Sequence, residues 1–509
     1  MTGPRRRRAA ALPALLLVLA AAIAATAGPR RGVRPPAVAG SFYPDQPARL
    51  RAALDAFFAD AVPRRDARPL GLVIPHAGYT YSGQIAADAW RQAAGRDVDV
   101  VVIMGPNHTT PAFGAVSVYD GKAYRTPLGE APIDRSLVAT LLGGGGPFTF
   151  RPDAHRREHS VEVQVPFLQS VLPGVPMVGM VVGTTDPDVC ARAGRELAAA
   201  LRGRRALVVA SSDLSHYPPA DVAVRADRTT LTALASLDPG RFLDAVDGQE
   251  ASHLPGLATC ACGRGPILVL LAAARALGAG HAAVLSYANS GDTTPGDPER
   301  CVGYGAVALY PGAGEPDLSG LARPAAPPGA RLDAAARRWL LRFARRTIDL
   351  YLRAGVTPLA RGYPPVLARR QGAFVTLETG GHRLRGCIGH IPGDTPLAVT
   401  VGRMAVQAAF HDPRFPPLRA DELPKVTIEI SVLTPPRPVS GPEAIVPGRD
   451  GVILSKDGRS AVFLPQVATE QGWTRDEMLT HLSLKAGLPP DAWRRGASFR
   501  TFQAEVFRE

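Results

Sequence analysis

Four apolar runs organise the first half of the chain: GLVIP (71–75), VDVVVIMGP (98–106), VPMVGMVVG (175–183) and RRALVVASSD (204–213). They are nearly continuous rather than alternating, and each stops at glycine, proline or a polar cluster. Such runs predict strands covered on both faces, the habit of a parallel sheet. Between and around them, RLRAALDAFFADA from residue 50, GQIAADAWRQAA, the stretch around 187–202 and ILVLLAAARALGA (267–279) space apolar residues by three and four. Strand and helix in alternation predict an α/β core. AAVLSYANSG and VGYGAVALY add late strands, and the alternation in SVEVQVPF (160–167) reads as one more, with Glu162 and Gln164 on one face.

Beyond residue 311 the pattern changes. PGAGEPDLSGLARPAAPPGA (311–330) has linker composition. LDAAARRWLLRFARRTIDLYLRAG then predicts an amphipathic helix, and GAFVTLET, KVTIEISVL, DGVILSKDGRSAVFLP and SFRTFQAEVF predict short antiparallel strands. The expected organisation is a first domain over 33–311, a linker over 312–330 and an α+β domain over 331–509, two units for a chain too long for one core.

At the start, RRRR (5–8) precedes 19 uncharged residues and Ala25-Thr26-Ala27. Residues 1–30 therefore read as an export signal or an N-terminal membrane anchor, placing the body in the periplasm or on the inner membrane. A misassigned start codon would instead leave it cytoplasmic. This segment also dissects the net charge of +13, because the first 34 residues carry seven arginines and no acid. No Lys/Arg stripe with interleaved aromatics follows, which argues against nucleic-acid binding. Five cysteines, an odd number, are too few for a disulfide scaffold, and the sequence does not pair them.

The chemistry sits where the strand-like runs end. His76, His108, Asp213 with His216, and Asn289 with Asp292 each follow such a run. In a parallel sheet those ends converge on one edge, where ligands bind. Two neutral imidazoles, His76 and His108, suit one metal ion, and a thiolate from Cys262, near a helix start, supplies a third ligand with positions left open. His159, Glu162 and Gln164 are candidates for orienting those ligands, although REHSVEVQVPFLQ is not the HExxH pattern. His216 suits a general base or proton shuttle. The bland alternative, histidines that only hold loops, stays open from spacing alone. In the second domain Cys387 lies in LRGCIGH (384–390), and Arg385, His411, Asp412 and Arg414 are candidates to surround an anion or merely to brace rigid turns.

PHAGYTYSG, GPNH, REHSVEVQVPFL, SSDLSHY, CGRGPI and YANSGD with VGYGA occur in an order that resembles the MEMO-like family, over roughly 35–311. The resemblance implies a fold similar to LigB-like extradiol dioxygenases and a redox-active iron or copper on His76, His108 and Cys262, with His159 and His216 lining the same cavity. Thr109 stands where many members have another histidine. LRGCIGH, AAFHDPRFPPL, VFLPQVATEQGW and HLSLKAGL resemble the AMMECR1 family, over about 335–507. Together they imply an AmmeMemoRadiSam-type fusion with a radical-SAM protein as partner. The expected function is a metal-dependent oxidoreductase acting on a small molecule or peptide, with His216, His159, Glu162 and Cys387 as reacting or tuning groups. A non-catalytic two-module adaptor and a zinc hydrolase are the alternatives.

Overall fold

The computed structural model describes residues 32–327 and 330–509. The expected signal or anchor over residues 1–30 lies outside them. Two structurally distinct domains, each of mixed α/β architecture, make up the described chain.

The first is built on an eight-stranded sheet. Its strands are β1 (Gly71–Ile74), β2 (Val100–Pro106), β3 (Val116–Val118), β4 (Phe148–Thr149), β5 (Met177–Val182), β6 (Ala206–Ser211), β7 (Ala279–Asn289) and β8 (Gly303–Ala313), in the order β7-β8-β1-β6-β2-β5-β3-β4. The central four, β1-β6-β2-β5, run parallel. Every residue of these four strands is buried, which is why their sequences read as unbroken apolar runs. Helices Pro47–Ala59 (α1), Tyr79–Arg91 (α2), Pro187–Ala200 (α3), Ala220–Ala235 (α4) and Arg264–Ala276 (α5) flank the sheet. The late strands β7 and β8 form an antiparallel hairpin, and β8 joins β1 antiparallel. The carboxyl ends of β1, β2 and β6 thus lie side by side, followed in sequence by His76, His108 and Asp213.

One predicted strand is absent. SVEVQVPF forms two short helices, His159–Glu162 and Val165–Val171. The Glu158 side chain caps the first by accepting the Ser160 N–H, and residues 160–168 are all buried, so the alternation that suggested a strand reports no exposed face.

The second domain opens with α6 (Ala334–Ala354), capped by Asp333 and stopped by Gly355 in the left-handed region at φ 71°. With α7 (Leu397–Phe410) it covers one face of a sheet of β9 (Ala373–Thr379), β10 (Arg383–His390), β11 (Thr427–Leu433) and β16 (Ala504–Arg508), ordered β10-β9-β11-β16. A second sheet, of β12 (Arg437–Val439), β13 (Gly451–Lys456), β14 (Arg459–Phe463) and β15 (Ser498–Phe502), packs with helix Arg475–Lys485 around its own core. The domains touch. Leu350, Ala354 and Val356 bury themselves in the first domain's core, and Arg361 pairs with the buried Asp88 at 2.8 Å.

The expectation of membrane anchoring or export gains no support from the described residues and is corrected there. Among the described residues no helix is long and apolar enough to cross a membrane. The longest, α6, spans 21 residues and carries arginine on nearly every turn, on the face opposite Leu340, Ala344 and Ile348.

Candidate metal centre

Three imidazoles converge at the carboxyl edge of the sheet. His76, His108 and His159 each offer a ring nitrogen, and the three nitrogens lie within 4.8 Å of one another. The His108 and His159 rings stack with centroids 4.7 Å apart, and His76 meets both nearly edge-on. They open into a cavity of about 510 Å³ whose walls include Phe42, Tyr81, Asp213, His216, Arg300 and Tyr304.

Each ring is set by what its other nitrogen does. Ser211, at the end of β6, gives its hydroxyl proton to Ser160 O at 2.8 Å. Its oxygen is then the acceptor for His76 Nδ1–H at 3.1 Å, which leaves the lone pair on His76 Nε2. His108 Nδ1–H donates to Glu158 Oε1 at 2.9 Å, again freeing Nε2. Glu158 also receives the backbone N–H groups of His108 and Ser160, at 2.8 and 3.0 Å. Although burial alone would raise it, these donors hold its carboxyl down at about 2. His216 Nδ1–H donates to Leu214 O at 2.9 Å, which leaves Nε2 without a proton on a ring that lines the cavity.

Burial, with His108, His159 and His216 nearby, pushes His76 well below the ordinary imidazole range, and burial likewise lowers His159. Burial also opposes protonation of His108, but the Glu158 hydrogen bond and charge outweigh it and leave His108 raised. Two neutral imidazoles and one that a carboxylate makes more basic form a donor set suited to a divalent ion.

Cys262 arrives at the same corner. Its sulfur lies 3.2 Å from His76 Nε2 and 3.7 Å from Asp213 O. A side chain at Gly263 would run into Ser212, so glycine is what lets this loop come so close. The helix start expected to favour a thiolate is outweighed, because burial and the Asp213 charge push the thiol up. The expected pair His76 and His108 thus stands with Cys262 beside it, while His159 completes the compact nitrogen group.

The remaining candidates do other things. Glu162 is fully buried and accepts Arg34 Nη1 at 2.6 Å, Tyr43 Oη at 2.7 Å and the N–H groups of Ala37 and Val38. It pins a strap, residues 34–43, whose Phe42 ring packs 4.7 Å from His159. Gln164 accepts Trp90 Nε1–H and donates to Pro75 O and Ser211 Oγ, tying together the elements that carry His76. Asp213 accepts the His76 backbone N–H at 2.7 Å. Asn289 and Asp292 cap the turn after β7. Sequence reasoning passed over Glu158 and Arg34 as partners. Neither has a local signal, since each acts across a separation of 50 residues or more.

In the second domain Cys387 lines a separate cleft of about 960 Å³. Register across the sheet places Cys387, Thr376, Glu429 and Arg508 in one row along its floor. The cations expected around an anion are already paired. Arg385 holds Glu422 at 2.9 Å and Arg414 holds Asp412 at 2.7 Å, while Asp412 accepts the Cys387 N–H. Burial raises the Cys387 thiol.

The family described as Memo-like protein matches residues 34–308, and AMMECR1 matches residues 341–507. A MEMO1 family protein of Methanopyrus kandleri is 35% identical over 291 residues, covering 55% of this chain and 99% of the relative. One from Pyrobaculum aerophilum is 37% identical over 289 residues, with 55% and 99% covered. The chain belongs to the Memo-like family. Its second unit is an AMMECR1 domain, and the whole is a fusion of the two. A crystal structure of an uncharacterized Pyrococcus horikoshii protein is 40% identical, with a TM-score of 0.33, covering 34% of this chain and 90% of that one. The Memo-like domain therefore holds the imidazole cluster, which is able to coordinate a metal ion. The matches give no ground for the radical-SAM partner expected from the sequence, and that expectation is corrected together with the membrane one.

Proposed function

We propose that the Memo-like domain is a metal-dependent oxidoreductase with iron or copper at its imidazole corner. The observation that carries this reading is the convergence of three ring nitrogens, with His76 and His108 each locked by a hydrogen bond at Nδ1. His76, His108 and His159 would hold the ion, with Cys262 as the sulfur donor at its His76 side. A bound iron or copper supplies one-electron chemistry and polarises a coordinated oxygen atom. A nearby cation also favours loss of the Cys262 proton, which burial otherwise retains.

The chain's own groups do the rest. His216 Nε2 accepts or returns a proton across the cavity, with Nδ1 held by Leu214 O. Glu162 acts at one remove, through the strap that sets Phe42 against His159. Tyr81 and Tyr304 narrow the space left for a small molecule or a peptide side chain. The similarity to LigB-like dioxygenases that we adopt for this domain is supported by a parallel core with its imidazoles at the carboxyl strand ends. We divide the chain into 33–311, a linker over 312–330 and 331–509, in line with the change of composition and with a second core whose buried residues begin at Leu332. Cys387 would contact whatever enters the second cleft, as a thiol rather than a thiolate.

A zinc hydrolase is the second reading, favoured by the three nitrogen donors, a set that also suits zinc with one open position. Metal analysis of the reduced protein decides between them. Near-stoichiometric iron or copper, reduced more than about 100-fold in affinity by His76→Ala, supports the oxidoreductase, since even an outer partner is worth about 10–100-fold. Zinc with ester or amide cleavage supports the hydrolase. Uptake of none of the three ions ends both and leaves the two-module adaptor.

A further inference from the structure

One wall of the imidazole cavity is a loop that leaves the end of β7. Ser290, Pro295, Gly296, Asp297 and Arg300 of this loop line the cavity. Its inner side is self-supported. Asp292 accepts the Asn289 N–H at 3.0 Å, and Val302 N–H donates to Ser290 Oγ at 3.0 Å. Arg300 lies over the Tyr217 ring, 4.1 Å from its centroid.

The outer side is gripped from beyond the Memo-like domain. Arg403, on α7 of the AMMECR1 domain, donates Nη2–H to Gly291 O at 2.8 Å and Nε–H to Thr293 O at 3.2 Å. Two carbonyls two residues apart are thus clamped by one planar fork, a geometry that a lysine ammonium reproduces only in part. The preceding residue, Gly402, packs tightly on Phe343 of α6, where a Cβ would stand 2.8 Å away, and reaches ordinary contact distance, 3.6 Å, from Thr294 Oγ1 of the loop. Arg323, from the connecting segment, adds an ion pair to Asp292 between the two gripped carbonyls. Burial lowers the Arg403 guanidinium, and the charges of Asp394 of its own domain and of Asp292 and Asp297 of the loop partly offset that.

This arrangement gives the fusion a mechanical meaning. Residues 291–293 carry no cavity-lining side chain, yet they lead directly into Pro295, Gly296 and Asp297, which do. Fixing the two carbonyls fixes where the wall begins. We propose that Arg403 is a positioning residue through which the AMMECR1 domain holds this wall in place and so controls access to the imidazoles. The access part rests on the metal reading above. The wall part does not.

The test uses the full chain with Arg403→Ala, Arg403→Lys and, as a control at another contact between the domains, Arg346→Ala, which removes an exposed pair with Asp60. Hydrogen exchange of amides 289–300 is measured on metal-free protein. Arg403→Ala is expected to speed it about tenfold, in line with hydrogen bonds from a charged group. Arg403→Lys should fall between, Arg346→Ala should match wild type, and strand 100–106 should be unchanged in all three. The second measurement loads the protein with cobalt(II) or zinc and follows extraction by EDTA, expected to be several-fold faster in Arg403→Ala. Wild-type exchange in Arg403→Ala, or an equal change in Arg346→Ala, overturns the proposal. Faster exchange with unchanged metal extraction overturns the control of access. A wild-type chain that takes up no metal sinks the metal reading alone, because the exchange result still decides whether Arg403 holds the wall.

Discussion

At the imidazole corner of the Memo-like domain, Glu158 is buried, receives three N–H donors and spends them on aiming His108. In the AMMECR1 cleft, Asp412 is also well supplied with donors, but its cation, Arg414, stands with 54% of its side chain in solvent. Both sites contain a carboxylate, a nitrogen base or cation and a cysteine. They differ in what the pairing leaves over. In the first, Ser211 and Glu158 each engage Nδ1 of an imidazole and leave Nε2 without a proton, that of His76 facing Cys262 Sγ at 3.2 Å. In the second, the Arg414 and Asp412 charges cancel two residues apart, while burial keeps the proton on the thiol in both sites. A site prepared for an ion is recognised by the lone pairs that its hydrogen bonds leave free, more than by the residue types present.

Breaking the buried supports should cost far more than breaking the exposed ones. Arg34→Ala strips Glu162 of its cationic partner in a buried pair, and should lower unfolding free energy by about 3–5 kcal/mol in urea titration. Glu158→Gln keeps the side chain's shape and should weaken metal binding by about 10–100-fold in competition with a chelator, with strand content by circular dichroism unchanged.

Acid sharpens the contrast further. The folded Glu158 carboxyl is held at about 2 against an ordinary 4.5, so its contribution to stability is complete above 4.5 and disappears as pH falls from there toward 2. Metal should be lost earlier on the same titration. His108 is raised above the ordinary 6.5, and protons begin to compete for its Nε2 as pH falls through that raised value. Metal retained unchanged down to pH 5 would contradict this assignment. At the small end, Arg414→Ala should cost only about 1 kcal/mol, because Arg414 stands 54% in solvent and the buried Asp412 keeps the backbone N–H groups of Cys387 and residue 414.

Much of the first site was legible because His76 and His108 each follow an apolar run with no polar face, a signal that burial on both sides of a sheet imposes on sequence. Cys262 was singled out from its place just before a helix, but the thiolate which that place suggests is outweighed by burial. His159 was visible only as a neighbour. Its segment alternates like a strand, and periodicity cannot distinguish an exposed strand face from two short helices buried all round. The carboxylate that aims His108 was hidden for a different reason. Glu158 and His108 are joined only by folding, and a lone glutamate carries no mark of the donors it will meet. Arg34 and Arg403 disappear into a chain with four lysines and otherwise only arginine as its strong base, where composition masks function. The parallel order of the central strands followed from their apolar runs. The antiparallel turn-back of β7 and β8 did not, since both directions bury the same residues.

Trp90, finally, is the one tryptophan in the Memo-like domain, and its indole is wholly enclosed. Its N–H reaches Gln164, Gln164 reaches Ser211, and Ser211 reaches His76, so three hydrogen bonds separate the indole from the imidazole. The protein therefore carries a built-in optical reporter. With Trp339, Trp473 and Trp493 replaced by phenylalanine, the wavelength and lifetime of a single fluorophore would register events at the imidazole corner, with no dye attached.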